Sequence, residues 1–244
     1  MIRLAISGCA GKMGTRIFNL ALDDKDLKPI VGIEQTEVLK QCLKTDEFKV
    51  SDNPDDIKEA DVLIEFTAPE PTIEHLDYAL KYKKAMVIGT TGLSEDQIRK
   101  IREASKNIPI VFSPNMSIGV NLLFKLVKEA AEKLSKDYKV KIVEAHHIHK
   151  KDAPSGTAKK LAQIIKDASG REVSDIKSIR EGEIAGDHKV TFESPVDTVE
   201  LSHSAKTRDI FAKGALAAAK FIAGKKPGLY DMQDVLEDPS LRSG

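Results

Sequence analysis

Cysteine is scarce in this chain of 244 residues. The two cysteines, Cys9 and Cys42, show neither a Cys-x-x-Cys spacing nor the number and arrangement of a disulfide framework. We therefore predict two reduced thiols. The small side chain of Cys9 suits close packing in the glycine-rich turn that contains it.

Net charge and long apolar runs are also absent. Lysine plus arginine and aspartate plus glutamate number 38 each, so no basic field is available for generic nucleic-acid binding. No apolar run approaches the roughly 20 residues that span a bilayer, and the N-terminus lacks the basic and apolar segments of a signal peptide. These absences predict a cytoplasmic protein without nucleic-acid or membrane partners, and they favour a local pocket for a small anionic ligand.

The first half of the chain alternates short apolar segments with amphipathic ones. Bounded apolar runs are typical of buried strands, whereas apolar residues at helical spacing indicate helices. The predicted strands are 4–6, 29–34, 61–66, 85–88 and 108–112, and the predicted helices are 12–22, 73–82 and one that begins at a capping box of Ser94 and Gln97. This alternation predicts an α/β fold with a parallel sheet covered on both faces.

The second half follows a different pattern, in which several strands succeed one another without helices between them. The predicted elements are the helices 122–134, 155–168 and 209–223 and the strands 141–145, 176–180, 189–193 and 198–203. Successive strands favour a mixed or antiparallel sheet and hence a second domain of α+β type.

A glycine triplet opens the first predicted helix. Gly8, Gly11 and Gly14 have the spacing G-x-x-G-x-x-G, which permits a tight turn, close helix packing and approach of a pyrophosphate to backbone N–H groups. Tight turns between a strand and a helix also use glycine without any ligand, so the triplet alone leaves both interpretations open. The residues predicted to bind a cofactor in this turn are Gly8, Cys9, Ala10, Gly11, Lys12 and Met13.

Glu34 supports the cofactor interpretation. It ends the second predicted strand twenty residues after Gly14, where dinucleotide folds place the carboxylate that binds the ribose hydroxyls, although a solvated glutamate at a strand end is the alternative. Its charge disfavours a 2′-phosphate, whereas Lys12 favours one, so NADH and NADPH both remain open. Two further strand-end loops are predicted to line the same crevice, through Gly89, Thr90 and Thr91 and through Ser113, Pro114, Asn115 and Met116.

The densest chemistry lies between positions 144 and 157, where His146, His147 and His149 fall within four positions. Histidine exchanges protons near neutral pH, and a neighbouring lysine, Lys150, is suited to act as a general acid. A metal site, a set of hydrogen-bonded structural histidines and an anionic-substrate site with proton-transfer groups are the three interpretations. The histidine spacing does not match the usual zinc patterns, so we predict no metal. The start of the next helix, at Ser155, Gly156 and Thr157, offers N–H groups and hydroxyls to a carboxylate.

Taken together, these motifs resemble one known family. The glycine turn, Gly89-Thr90-Thr91-Gly92, the segment 114–121 and the string EAHHIHKKDAPSGTA at 144–158 are similar to 4-hydroxy-tetrahydrodipicolinate reductases. The similarity continues through Arg180-x-Gly182 to the segment 208–215, so it covers nearly the whole chain.

The resemblance implies a fold and a reaction. It implies a Rossmann-like dinucleotide domain, 1–117 and 208–244, interrupted by an α+β domain, 118–207, that binds substrate and forms a homotetramer. NADH or NADPH would reduce a cyclic dicarboxylate of the diaminopimelate route to lysine. His146 would be the proton donor and acceptor and Lys150 the proton donor, while His147, Ser155, Gly156 and Thr157 would bind the substrate.

Two other functions are compatible with a dinucleotide fold. A semialdehyde dehydrogenase would need a nucleophilic cysteine near the nicotinamide, and neither Cys9 nor Cys42 is well placed for that role. A dinucleotide-sensing regulator would need a partner surface such as a basic DNA-binding segment, and no such stretch is present.

Overall fold

The computed structural model describes residues 1–39 and 48–239, so Cys42 lies outside the described residues. The chain divides into two compact units, Met1–Ser117 with Phe211–Gly244, and Ile118–Ile210. No helix among the described residues combines the length and apolar character needed to cross a membrane.

The first unit is built on seven parallel strands. They are β1 (Ile2–Ser7), β2 (Leu27–Ile33), β3 (Lys49–Ser51), β4 (Val62–Glu65), β5 (Ala85–Ile88), β6 (Pro109–Phe112) and β11 (Gly228–Tyr230). Their order in the sheet, β11-β6-β5-β4-β1-β2-β3, confirms the predicted Rossmann-like parallel sheet. Its helices are α1 (Lys12–Leu22), α2 (Pro69–Lys81), α3 (Glu95–Ser105), α6 (Asp209–Ile222, which begins in the second unit) and α7 (Met232–Glu237).

Two edge strands were not predicted from the sequence. Each of them, β3 and β11, is only three residues long and is defined by pairing with a neighbour in the sheet. Three residues are too few to show a period of two, so the local pattern holds no signal for them.

The strand register aligns the ends of the central strands. Ser7 pairs with Glu65, Glu65 with Ile88, and Ile88 with Phe112. Because the strands are parallel, the loops that follow β1, β4, β5 and β6 all begin at one edge of the sheet. Alternate strand residues face two separate apolar clusters, with Leu4 and Ile6 in one and Ala5 in the other, as expected of a sheet covered on both faces.

The second unit contains two helices and a mixed sheet of four strands. The elements are α4 (Ile118–Lys133), β7 (Lys139–His146), α5 (Gly156–Ser169), β8 (Asp175–Arg180), β9 (Asp187–Glu193) and β10 (Thr198–Ser204). The strand order β10-β9-β7-β8 confirms the predicted α+β type. Strand β7 pairs in parallel with β8, to which it is connected through α5, and antiparallel with β9. Helices α4 and α5 form an apolar cluster with the buried residues of the strands.

Candidate functional site

The glycine turn joins β1 to α1 at the carboxyl edge of the parallel sheet. Gly8 has a positive φ of 70°, a conformation that favours glycine. A Cβ on Gly14 would lie 2.0 Å from the carbonyl oxygen of Gly8, so the helix approaches the turn more closely than any side chain permits. Gly11, the residue before α1, is a glycine and so has no side chain to cap the helix. The turn therefore has the backbone geometry of a pyrophosphate cradle.

Glu34 lies directly against this turn. Its carboxylate accepts a hydrogen bond from the N–H of Ala10 at 3.0 Å and from that of Gln35 at 3.0 Å. Lys12 is exposed at the first position of α1, and Met13 is half-buried against the core. Cys9 is buried in the turn, where its sulfur would be 2.6 Å from a Cβ on Gly32. The structure thus brings the first set of predicted cofactor residues together.

The other predicted cofactor loops begin at the same edge. A Cβ on Gly89 would overlap the ring of Phe66, and Thr90 is buried, whereas Thr91 is exposed. In the loop after β6, the hydroxyl of Ser113 donates to the carbonyl of Asn115 at 2.9 Å. Pro114 is exposed there, and Met116 is buried with its carbonyl against α6, 1.7 Å from where a Cβ on Gly214 would lie.

In the second unit, the end of β7 presents a buried carboxylate and a histidine two residues apart. Alternate residues of a strand face the same side, so Glu144 and His146 share one face of β7. The Nδ1 of His146 lies 2.5 Å from Oε2 of Glu144, whose side chain is fully buried. Burial lowers the pKa of His146 below its usual value, and the charge of Glu144 opposes that shift.

Arg180 holds the carboxylate of Glu144 from the neighbouring strand. Its guanidinium donates to both carboxylate oxygens, at 3.1 and 2.8 Å. The N–H of Ser155 adds a third donor at 3.3 Å. Although burial acts against ionisation, hydrogen bonds from Arg180, Ser178 and His146 lower the pKa of Glu144 to about 2, so it is a fixed negative charge at neutral pH.

His188 on β9 completes this cluster. It pairs with Glu144 in the strand register, and its ring lies edge-on to that of His146 with centroids 5.2 Å apart. Its Nε2 lies 3.3 Å from the hydroxyl of Ser155. Burial and the neighbouring His146 lower the pKa of His188 to about 4, so this ring is neutral at pH 7.

We expect His188 to make the fold less stable in acid. Its folded pKa lies below the unfolded value of 6.5, so the unfolded chain binds the extra proton between about pH 6.5 and 4. This group alone lowers the free energy of unfolding by about 1.4 kcal/mol per pH unit in that window, or about 3 kcal/mol in total. Urea unfolding of wild type and His188→Gln at pH 7, 6 and 5 measures the free energy of unfolding at each pH. It should fall less steeply with decreasing pH in the variant than in wild type. Equal pH dependence in the two proteins would contradict this role of His188.

The remaining histidine-lysine residues lie beyond β7. The guanidinium of Arg208 lies 3.0 Å from Nε2 of His147, and because arginine only donates, Nε2 accepts. Nζ of Lys150 lies 2.7 Å from a carboxylate oxygen of Asp152, and only 23% of the lysine side chain is exposed. His149 is exposed, 3.8 Å from Glu183.

The N-terminus of α5 lies next to the buried cluster. The hydroxyl of Ser155 accepts from the N–H of Ala158 and so caps the helix, while the residue itself is buried. Gly156 is exposed with open space at its Cβ position, and Thr157 is half-buried. The first turn of α5 therefore has open space beside Gly156, whereas the Ser155 hydroxyl is engaged within the protein.

Among the described residues, one group could hold a metal ion: Glu144, His146 and His188, whose donor atoms lie within 4.8 Å of one another. Both oxygens of Glu144 already accept hydrogen bonds from Arg180. A cation there would displace those bonds and face the guanidinium charge. These contacts favour a hydrogen-bonded histidine site over a metal centre.

Sequence reasoning did not identify Glu144, Arg180 and His188 as members of one cluster around His146. Glu144 was visible as the residue two before His146, and this spacing on a strand is a usable signal. Arg180 and His188 reach the cluster through cross-strand register, from 36 and 44 positions farther along the chain than Glu144. Such pairing is not encoded in local spacing.

Two family models match the chain. One described as "Dihydrodipicolinate reductase, N-terminus" matches residues 2–116, and one described as "Dihydrodipicolinate reductase, C-terminus" matches residues 119–236. Among curated proteins, a 4-hydroxy-tetrahydrodipicolinate reductase of Aquifex aeolicus is 42% identical, with 96% of this chain and 98% of that protein covered. The corresponding protein of Syntrophotalea carbinolica is 39% identical, with 97% and 99% covered.

Solved structures share the fold. A dipicolinate-bound dihydrodipicolinate reductase from Paenisporosarcina sp. TG-14 has a TM-score of 0.85 at 24% identity, with 96% of this chain and 98% of that chain covered. An amine dehydrogenase from Mycobacterium smegmatis has a TM-score of 0.67 at 11% identity, with 100% and 97% covered. The fold of this chain thus occurs in a reductase and in a dehydrogenase.

Proposed function

Because the chain belongs to the dihydrodipicolinate reductase family, we propose that it reduces 4-hydroxy-tetrahydrodipicolinate to tetrahydrodipicolinate with NADH or NADPH. The product belongs to the diaminopimelate route to lysine. The observation that carries the proposal is the buried Glu144–His146 pair. The pair lies in the same segment, 144–158, as Lys150, and this segment carries the family resemblance. The homotetramer and the cytoplasmic location stay predictions.

The first unit provides the cofactor site. The positive φ of Gly8 and the close approach of Gly14 to its carbonyl leave the room and the N–H groups that a pyrophosphate needs. A nicotinamide dinucleotide held there would supply the hydride that C4 of the substrate takes up. Glu34 is the candidate for the ribose hydroxyls, and the loops at Gly89–Thr91 and Ser113–Met116 are the candidates for the nicotinamide end.

The second unit supplies the protons. Overall, the substrate takes up a hydride and a proton and loses its 4-hydroxyl as water. Lys150 donates the proton that leaves with the hydroxyl. His146 accepts a proton from the carbon next to C4 as the hydroxyl departs, and returns it to that carbon when C4 has received the hydride. The balance is one hydride and one proton consumed and one water released.

The surroundings of His146 fit this double role. Glu144 is acceptor-only at neutral pH, so Nδ1 of His146 carries its proton and Nε2 is the atom that exchanges one. The lowered pKa keeps the ring neutral and ready to accept, while the buried carboxylate stabilises the imidazolium that forms.

Two groups of donors are suited to the substrate carboxylates. The N–H groups of Gly156 and Thr157 lie in the first turn of α5, where the space at the Cβ position of Gly156 is open. The N-terminus of a helix also favours negative charge. His147 and Arg208 form a second pair of polar groups at 3.0 Å. We assign the two carboxylates of the substrate to these positions.

A coupled assay tests the reaction. The substrate is formed in situ from pyruvate and aspartate semialdehyde by the preceding synthase, and NADH or NADPH oxidation is followed at the nicotinamide absorbance. We expect turnover that depends on both carbonyl substrates and on the synthase. Absence of turnover with either coenzyme would refute the reductase assignment.

The choice of coenzyme depends on two opposed charges. Glu34 repels a 2′-phosphate, whereas the exposed Lys12 attracts one. We expect Glu34→Gln to raise the ratio of kcat/KM for NADPH to that for NADH by about tenfold, since a full like charge is removed from the turn. Lys12→Met is the matched variant and should lower the same ratio. Ratios that do not move in opposite directions would contradict this account.

A further inference from the structure

A buried polar cluster lies in the first unit, at the strand ends from which the cofactor loops begin. Nδ1 of His75, on α2, is 2.6 Å from Oε2 of Glu65 and 3.0 Å from the hydroxyl of Ser7. Ser7 and Glu65 are fully buried, and His75 is 6% exposed. Ser7 is the last residue of β1 and Glu65 the last of β4, so the histidine ties two strand ends together.

The second oxygen of Glu65 continues the cluster into the next loop. Oε1 accepts from the N–H of Thr67 at 3.0 Å. The methyl group of Thr67 would be 2.9 Å from a Cβ on Gly8, so this side chain packs against the glycine turn itself. A chain of contacts thus runs from His75 to the backbone that forms the pyrophosphate cradle.

Thr72, one helical turn before His75 on α2, makes a second connection to a cofactor loop. Its hydroxyl donates to the carbonyl of Ala68 at 2.8 Å and lies 2.9 Å from the hydroxyl of Thr90. Thr72 and Thr90 are both buried. Residues three apart on a helix share a face, so Thr72 and His75 form one polar face of α2 that meets the loops after β1, β4 and β5.

This cluster is not a second catalytic centre. In a serine triad the serine and the carboxylate contact opposite nitrogens of the histidine, so that the ring can pass a proton between them. Here Ser7 and Glu65 both meet Nδ1, and all three side chains are buried. The arrangement fixes positions and activates no nucleophile.

We propose that His75 and Thr72 are positioning residues for the cofactor: they hold three strand-end loops in the arrangement that binds the dinucleotide. The proposal rests on the proposed cofactor site. A buried polar cluster is weak evidence for stability alone, because apolar residues of similar size often stabilise as well or better. The side chains of this cluster connect to the glycine turn through Thr67 and to Thr90 through Thr72. Loss of the cluster should therefore loosen these loops and leave the apolar core in place.

Titration with NADH, followed by nicotinamide fluorescence, tests this role. In His75→Leu we expect the Kd for NADH to rise at least tenfold, because the contact to the loops after β1 and β4 is lost. His75→Asn is the matched control, since its side-chain amide can place an N–H where Nδ1 was. It should bind NADH within about threefold of wild type. Valine is similar in size to threonine, so Thr72→Val removes only the hydrogen bonds to Thr90 and to the Ala68 carbonyl. It should raise the Kd for NADH by less than His75→Leu does.

Further measurements separate this role from general damage. At saturating NADH, kcat and the KM for the dicarboxylate should stay within about threefold of wild type in both His75 variants. A lowered Tm with an unchanged Kd in His75→Leu, or equal losses of affinity in His75→Leu and His75→Asn, would overturn the proposal. If His75→Leu does not fold, Thr72→Val decides, and an unchanged Kd in it overturns the proposal. Failure of the wild type to bind NADH and NADPH would instead refute the proposed function.

Discussion

Replacing His146 by glutamine should lower kcat by about two to four orders of magnitude, the usual contribution of a positioned acid-base group. Glutamine keeps a hydrogen-bonding group that can reach the buried carboxylate of Glu144, so the fold and the KM for the substrate should change little. The loss reflects the missing proton exchange at Nε2. Steady-state kinetics with substrate formed in situ measures it, with circular dichroism as the check on folding.

Glu144→Gln is the companion variant that separates chemistry from positioning. It keeps the shape of the side chain but removes the charge that raises the pKa of His146. The acidic limb of the kcat profile, where the ring becomes protonated and can no longer accept, should therefore move to lower pH. The double variant should be little worse than His146→Gln alone, because both residues act through one ring. Intact turnover in His146→Gln would overturn its assigned role.

Replacing Lys150 by methionine should lower kcat by at least about a hundredfold, because the departing hydroxyl then leaves without a proton donor. Methionine retains the length and apolar stem of a side chain that is only 23% exposed. The same coupled assay measures kcat and the KM for the dicarboxylate. We expect the loss mainly in kcat.

Lys150→Arg distinguishes proton donation from charge. Arginine preserves the positive charge and the ion pair with Asp152, but its guanidinium does not give up a proton near neutral pH. The KM for the dicarboxylate should stay near the wild-type value while kcat remains low. An arginine variant with near wild-type kcat would show that Lys150 contributes charge and not a proton.

Much of the fold is predictable because its signals are local. The alternation of apolar strands with helices predicted the parallel sheet, and the capping box of Ser94 and Gln97 is present as expected. Gly170, placed at the end of α5, adopts the left-handed conformation of a helix C-terminus. Each of these features depends on residues within a few positions of one another, so one sequence suffices.

The sequence by itself determined the two kinds of sheet, the glycine turn with Glu34, and the segment from Glu144 to Thr157 in which we propose the proton-transfer groups. Only the tertiary structure decided which side chains support them. Arg180 meets Glu144 from 36 positions away, and Ser7 meets His75 from 68. These partners come together through strand register and helix packing, which depend on the whole fold and leave no periodic trace in the local sequence.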